Sequence, residues 1–144
     1  EVTTEGGLDI KKNYNNLRKI LQKMSNSSIK IACFIDPDYD QIKLLKELKI
    51  DNIEFHTGKY ALAKDNETIN YYLNELKKAI EYANNLGFNC HAGHGLNFKN
   101  VGNIASIPQI QELNIGHFLI GESVFSGLEK TILQMKKIIE VSRK

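Results

Sequence analysis

A glutamate and a histidine stand two residues apart in a short, largely apolar segment, Ile53-Glu54-Phe55-His56-Thr57-Gly58. Successive side chains of a strand point to opposite faces, so Glu54 and His56 share one face and the apolar side chains share the other. A carboxylate that faces a protein interior is costly unless it is paired or used. Glu54 is therefore either a candidate acid or base, or the partner of an interior lysine or arginine. For His56 two roles stay open, a contact with substrate and a hydrogen bond to loop backbone.

A second histidine stands between two glycines where an apolar strand runs into a loop, His91-Ala92-Gly93-His94-Gly95-Leu96. Glycines let backbone N–H groups approach a ligand closely, and His94 is placed where an acid or base must stand. The alternative is an ordinary loop histidine. A metal site at His91 and His94 is disfavoured, because residues three apart on a strand point in opposite directions and no carboxylate follows at helical spacing. We predict no metal.

Two further polar segments, Asn114-Ile115-Gly116-His117 and Gly121-Glu122-Ser123, flank a predicted last strand over residues 117–120. In barrels, the loops after the last two strands often bind phosphate through backbone donors and a helix N-terminus. Both segments are therefore candidates for a phosphate site. The alternative for the second segment is that Gly121 is a turn residue and Ser123 a helix N-cap.

The elements that must position these residues alternate between strand and helix patterns, which is typical of βα units around a parallel sheet. Strands are predicted at residues 29–35, 53–56, 88–92 and 117–120, and helices at 13–25, 42–48, 69–86, 101–105 and 127–141. A strand face that carries Glu54 favours a (β/α)8 TIM barrel with a polar interior over an open sheet covered by helices on both sides. Because a complete barrel needs about 250 residues, we expect residues 1–144 to form the C-terminal part of a single barrel domain, with roughly its last four strands.

Composition narrows the class of protein. The chain has 144 residues, 42% hydrophobic and 25% charged, with a net charge of +2, and its basic residues form no continuous stripe, so we expect a globular α/β protein without a nucleic-acid partner. No apolar run approaches a membrane span, and no signal sequence is recognisable, so we expect no membrane partner and a cytoplasmic location. Cys33 and Cys90 lie in apolar strands and are predicted to be buried free thiols. The loop-like start at Glu1 suggests a longer parent chain.

Five ordered motifs, spread over essentially the whole chain, together resemble the pyridoxine 5′-phosphate synthase family. They are Glu-Val-Thr-Thr-Glu-Gly-Gly-Leu-Asp (1–9), Phe-Ile-Asp (34–36), Ile-Glu-Phe-His-Thr-Gly (53–58), Ala-Gly-His-Gly-Leu (92–96) and Glu-Leu-Asn-Ile-Gly-His (112–117). The resemblance implies a homo-oligomeric (β/α)8 barrel, commonly an octamer. It also implies condensation of 1-deoxy-D-xylulose 5-phosphate with 3-amino-2-oxopropyl phosphate to pyridoxine 5′-phosphate, phosphate and water, a reaction that moves protons and needs no redox cofactor.

The resemblance also implies roles for single residues. Glu54 would support charged intermediates and proton transfer, and His94 would act as general acid. Thr3 would contact the deoxyxylulose phosphate, while the aminoketone phosphate would be held by Gly95, Gly116 and His117. The sequence departs from the family pattern at His91, where relatives carry asparagine, and at Glu122, where some carry arginine.

Two other functions stay open at this point. One is a different phosphate-binding barrel enzyme, an isomerase or aldolase that uses Glu54 as base. The other is a catalytically inactive barrel portion that serves as an assembly module. Because the family's other acid–base residues belong to the N-terminal half of the barrel, we expect these residues alone to be inactive.

Overall fold

The computed structural model describes residues 6–144 of the chain, so Thr3 lies outside the described residues. Four parallel strands form one sheet in the order β1-β2-β3-β4. Their bounds are β1 Ala32–Ile35, β2 Asn52–His56, β3 Asn89–Gly93 and β4 Ile110–Asn114. The helices are α1 Ile10–Met24, α2 Tyr39–Glu47, α3 Gly58–Leu62, α4 Asn66–Asn85, α5 Val101–Ala105, α6 His117–Ser126 and α7 Leu128–Ser142. This parallel sheet with its helical connections confirms the predicted α/β class and is consistent with part of a (β/α)8 barrel.

Aspartates begin three of the helices. The carboxylates of Asp9, Asp38 and Asp65 accept hydrogen bonds from backbone N–H groups in the first turns of α1, α2 and α4. Such caps satisfy donors that have no partner within the helix. Gly87, at φ 86°, follows the end of α4 and turns the chain into β3. These local signals fix where α1, α2 and α4 begin.

The two faces of the sheet differ in polarity. Ile53 and Phe55 of β2, together with Cys90 and Ala92 of β3, are completely inaccessible to solvent on the face that packs against helices. That face forms one hydrophobic core with apolar residues of α2 and α4, among them Ile42, Leu45, Leu76 and Ile80. The alternation predicted for β2 is thereby confirmed, and its polar residues are directed to the other face.

The opposite, inner face carries the polar rows. Phe34, Glu54, His91 and Glu112 stand at matched positions on the four neighbouring strands. Nearer the N-terminal ends of the strands, amide side chains form a chain of hydrogen bonds. Gln111 Nε2 donates to Asn89 Oδ1 at 3.3 Å, and Asn89 Nδ2 donates to Asn52 Oδ1 at 3.0 Å. These bonds link the amide side chains of three neighbouring strands.

The predicted last strand is wrong. Residues 117–120 belong to α6, and β4 instead runs from Ile110 to Asn114. Pro108 lies in the short connection between α5 and β4. β4 pairs with the free edge of β3. Its Ile110 is fully buried in the hydrophobic core. A short apolar run such as Phe118-Leu119-Ile120 has no periodicity that separates strand from helix.

Other predictions agree with the structure. Cys33 and Cys90 are free and buried, and burial raises the pKa of each thiol to about 11. Across residues 6–144, no helix combines the length and apolar character that a membrane span requires.

Candidate active site

A cleft of about 1070 Å³ opens at the C-terminal ends of the strands, beside the inner face of the sheet. Its wall includes five of the residues predicted to act in the site, Glu54, His94, Gly95, Gly116 and His117. The structure thus brings together the described residues to which the family resemblance assigns a role. A second cleft of about 830 Å³ lies at the opposite ends of the strands and contains none of them. Parallel barrels carry their chemistry at the C-terminal ends, so the first cleft is the candidate active site.

Glu54 lies partly buried on the inner face of β2. Removal of water raises the pKa of its carboxyl above the ordinary value, while a hydrogen bond with the Asn114 side chain and the proximity of His91 oppose that rise. Within residues 6–144 no lysine or arginine forms a salt bridge with Glu54. The alternative of an interior ion pair is therefore not realised in the described part of the chain. A carboxyl group with a raised pKa is suited to proton transfer near neutral pH.

Gly93 of β3 makes room for this carboxylate. A Cβ atom at position 93 would overlap Glu54 Oε1 and would also lie 3.0 Å from the backbone oxygen of Asn114. A side chain at position 93 would therefore displace the Glu54 carboxylate from its present position and press on the backbone of β4. The glycine that the sequence assigned to the loop before His94 thus serves Glu54 as well.

His94 stands on a sharply turned loop directly after β3 and is exposed to the cleft. Its φ is 79°, and that of Gly95 is 75°, so two consecutive residues occupy the left-handed region that most side chains avoid. The turn is held from the neighbouring strand end, because the Thr57 hydroxyl lies 2.6 Å from the carbonyl oxygen of His94 and 2.8 Å from that of Gly93. Such a backbone persists only where its surroundings over-determine it.

His56 has a partner that sequence reasoning missed. Its Nδ1 lies 2.7 Å from Oδ1 of Asp36, the residue that follows β1, and its ring is 9% exposed. Among residues 6–144 the predicted bond of His56 to loop backbone is not formed, since Nε2 has no hydrogen-bond partner. The substrate contact of His56 stays a prediction. The available signal was that Asp36 and His56 both stand at the C-terminal ends of strands that pair in parallel.

The N-terminus of α6 faces the cleft through Gly116 and His117. The first hydrogen bond of this helix joins Ile120 N–H to the Gly116 carbonyl oxygen, and no side chain among residues 6–144 caps its start. The N–H groups of the first turn, at the positive end of the helix dipole, are thus free to receive an anion. Phe98 packs edge-to-face on Phe118, with ring centroids 4.8 Å apart, and joins this helix to the loop that carries His94.

The second predicted phosphate segment is misplaced. Gly121, Glu122 and Ser123 lie in the middle of α6, where Glu122 accepts a hydrogen bond from Ser126 at 2.6 Å. Ser123 donates to the Leu119 carbonyl oxygen within the same helix. Both readings of this segment, phosphate loop and turn with N-cap, are wrong for the same reason as the last strand, since the helix begins at His117. Only the first segment, at Gly116 and His117, reaches the cleft.

The histidines of the strands and loops do not form a metal-ligand group in the described part of the chain. Across residues 6–144, no three or more His, Cys, Asp or Glu side chains group as metal ligands. His91 points toward Glu112, with 3.8 Å between His91 Nδ1 and Glu112 Oε1. It therefore belongs to the inner polar row, and His94 belongs to the loop above it.

Sequence comparisons identify the family of the chain. The family model of "Pyridoxal phosphate biosynthesis protein PdxJ" matches residues 1–141. Proteins named pyridoxine 5′-phosphate synthase are similar along the chain. That of Blochmanniella pennsylvanica is 47% identical over 144 residues, covering 100% of this chain and 59% of the relative. That of Ehrlichia chaffeensis is 46% identical over 139 residues, covering 96% and 56%.

A relative from Sulfurihydrogenibium sp. with the same name is 44% identical over 144 residues, which cover 100% of this chain and 59% of the relative. The chain thus spans nearly three fifths of the length of the curated relatives it matches. The family match extends from the start of the chain almost to its end and includes all of the residues that line the cleft. The chain belongs to the PdxJ family of pyridoxal phosphate biosynthesis proteins.

Proposed function

We propose that this chain supplies part of the active site of a pyridoxine 5′-phosphate synthase. The reaction would condense 1-deoxy-D-xylulose 5-phosphate with 3-amino-2-oxopropyl phosphate and release phosphate and water. The observation that carries the proposal is that a desolvated carboxylate, Glu54, and an accessible histidine, His94, line one cleft with the free N-terminus of α6. The names of the relatives favour this activity over an isomerase, an aldolase or an inactive assembly module.

Proton transfer would be divided between Glu54 and His94. The reaction joins an amine to a ketone and eliminates phosphate and water, so every stage needs a proton delivered or removed. His94, exposed on its loop, is placed to protonate a leaving oxygen as general acid. Glu54, deeper in the cleft, would stabilise positive charge that develops on the nitrogen of an intermediate and would exchange protons with it. No step of this sequence needs an electron acceptor, and we propose no redox cofactor.

The phosphate of the aminoketone would lie against α6. Free N–H groups of the first turn, the backbone of Gly95 and Gly116, and the His117 side chain would surround it. Gly95 and Gly116 are both exposed to the cleft and carry no side chain that would obstruct an oxygen anion. Thr3 lies outside the described residues, and its contact with deoxyxylulose phosphate stays a proposal that rests on the family resemblance.

The organisation of the complete protein is also proposed. Residues 1–144 would be the C-terminal part of one (β/α)8-barrel domain in a cytoplasmic enzyme. We propose that the enzyme assembles as a homo-oligomer, an octamer by its resemblance to the family. Large apolar side chains stay exposed on α6 and α7 of this chain, among them Val124, Phe125 and Leu133, and assembly would remove such surface from water.

Catalysis tests the proposal directly. Mixing both phosphorylated substrates with the complete protein should produce pyridoxine 5′-phosphate, followed by its absorbance. Glu54→Gln and His94→Ala should each lower kcat by about 10²–10⁴-fold, the usual contribution of a positioned acid or base. Glu81→Gln, which removes a carboxylate exposed on α4, serves as the matched control and should leave kcat unchanged. A folded complete protein that forms no product would refute the proposed function.

Gly93→Ala should damage the site without changing any polar group. The added methyl would overlap the Glu54 carboxylate and press on the Asn114 backbone, so we expect a stability loss of about 1–3 kcal/mol, typical of overpacking, with a fall in kcat. Gly121→Ala is the control, because a Cβ there meets nothing within 4 Å and lies in the middle of α6. It should be neutral or stabilise by about 0.5–1 kcal/mol. Urea denaturation measures both, and equal effects of the two substitutions would contradict the packing argument.

The pH dependence of stability should reveal the free-energy cost of removing the Glu54 carboxylate from water. Its pKa is raised by folding, so its contribution to stability is fully present below the ordinary carboxyl pKa and is lost as pH rises through the folded value. Glu54→Gln, which cannot ionise, should therefore be more stable than the wild type at neutral pH, and the difference should shrink in acid. Urea unfolding at a series of pH values measures this, with Glu81→Gln as the charge-matched control. A variant less stable than the wild type at pH 7 would contradict the prediction.

Assembly can be measured separately from catalysis. Light scattering coupled to size-exclusion chromatography should give the complete protein a mass of about eight subunits, as the family resemblance implies, because exposed apolar patches of this kind usually mark interaction sites. Val124→Asp together with Phe125→Asp should lower that mass if α6 contributes to the contact. A wild-type protein that elutes as a monomer would exclude the octamer.

A further inference from the structure

His56 is a buried histidine that the proposed chemistry does not use. It lies on the inner face of β2, two residues after Glu54. Its Nδ1 contacts Asp36, and its Nε2 is buried without any hydrogen-bond partner among the described residues. A buried polar atom without a partner costs free energy, so its retention in an otherwise well-satisfied core calls for a physical reason.

The contact with Asp36 orients the ring. A carboxylate accepts hydrogen bonds, so Nδ1 carries a proton and donates it to Asp36 Oδ1. With one edge held at 2.7 Å from Asp36 Oδ1, the imidazole plane cannot turn about its axis. Asp36 keeps 46% of its side chain exposed, so its charge is solvated and does not depend on His56 for compensation.

The free edge and face of this ring contact His94. The centroids of the two imidazoles are 4.8 Å apart and their planes meet at 70°, an edge-to-face arrangement. Phe34 also packs on His56, with centroids 5.1 Å apart, and lies at 6.4 Å from His94 in a tilted arrangement. Among residues 6–144, the ring contacts of His94 are those with His56 and Phe34.

Gly58 completes the packing. A Cβ atom at that position would overlap His56 Nε2 and would lie 3.2 Å from Cδ2 of His94. The absence of a side chain at position 58 therefore lets both rings occupy the same small space. The start of α3 thus lies against both histidines, while His94 also borders the cleft.

We propose that His56 is a positioning residue, which Asp36 holds in place and which orients the imidazole of His94 toward the substrate. The inference rests on the proposed function, in which His94 is the general acid. His56 itself touches no reacting atom. Its effect passes through one ring contact, so it should matter only while His94 is present.

A double-mutant cycle in the complete protein tests this dependence. His56→Leu fills a similar volume but removes the ring and the bond to Asp36. It should lower kcat by about 100-fold, the cost of misplacing a catalytic group by roughly 1 Å, with KM for both substrates changed less than about threefold. In the His94→Ala background the same substitution should change kcat less than about threefold. A role confined to stability would instead give equal losses in both backgrounds.

Two conservative variants separate ring packing from charge. His56→Phe keeps an aromatic ring against His94 and should recover kcat to within about tenfold of the wild type, as should Asp36→Asn, whose amide oxygen still accepts a hydrogen bond. Thermal unfolding of each variant checks that it folds. If His56→Phe and Asp36→Asn are as inactive as His56→Leu, the carboxylate–imidazole pair acts by charge, and positioning by ring contact is overturned.

The remaining outcomes also decide the matter. Additive losses in the cycle would overturn the inference while a wild type that forms product keeps the proposed function. A wild type without synthase activity would overturn both, since His56 would then have no general acid to orient. Full activity of His56→Leu would show that His94 is oriented by other contacts.

Discussion

The parallel pairing of β1, β2 and β3 is the interaction on which the candidate site depends. Burial of Ile53 and Phe55 under the helices supplies free energy in proportion to the apolar area removed from water. Because side chains alternate along a strand, the same burial forces Glu54 and His56 onto the inner face. The register then sets Glu54 beside Phe34 and His91. The arrangement of these inner-face side chains is therefore a consequence of burying the apolar face of the sheet. The hydrophobic core therefore positions the chemistry, although no core residue takes part in it.

The inner face of the sheet holds the Glu54 carboxylate without a salt bridge to any described lysine or arginine. Gly93 leaves the space, the Asn114 side chain supplies a hydrogen bond, and the described lysines and arginines stay away from the ion. A salt bridge would lower the pKa of Glu54 and make it a poor proton carrier. Partial desolvation raises the pKa instead, at some cost in stability. Such a compromise is typical of functional sites, where groups are held in environments that a purely structural residue would avoid.

Two loops bring the remaining groups to the carboxylate. The loop after β3 holds His94 and Gly95 at positive φ, and its strain is balanced by the Thr57 hydroxyl, which belongs to the neighbouring strand end. The connection from β4 to α6 is only two residues long and directs the helix N-terminus into the cleft. The packing of Phe98 on Phe118 connects the loop that carries His94 to the start of α6. In the proposed reaction, this contact would help to keep the phosphate in place while protons move near it.

The sequence by itself determined the alternation of strands and helices, the two faces of β2, and the membership of Glu54, His94, Gly95, Gly116 and His117 in one site. These follow from local periodicity, from the positions of glycines and from family motifs, all of which are features of the amino-acid sequence alone. Only the tertiary structure decided that Ile110–Asn114, and not residues 117–120, is the last strand, because a short apolar run becomes strand or helix according to which segment can pair with the free edge of β3. Only the tertiary structure revealed the contact of Asp36 with His56 and of His56 with His94. Residues 20 and 38 positions apart meet there because parallel strands place their C-terminal ends side by side, a relation that local spacing does not encode.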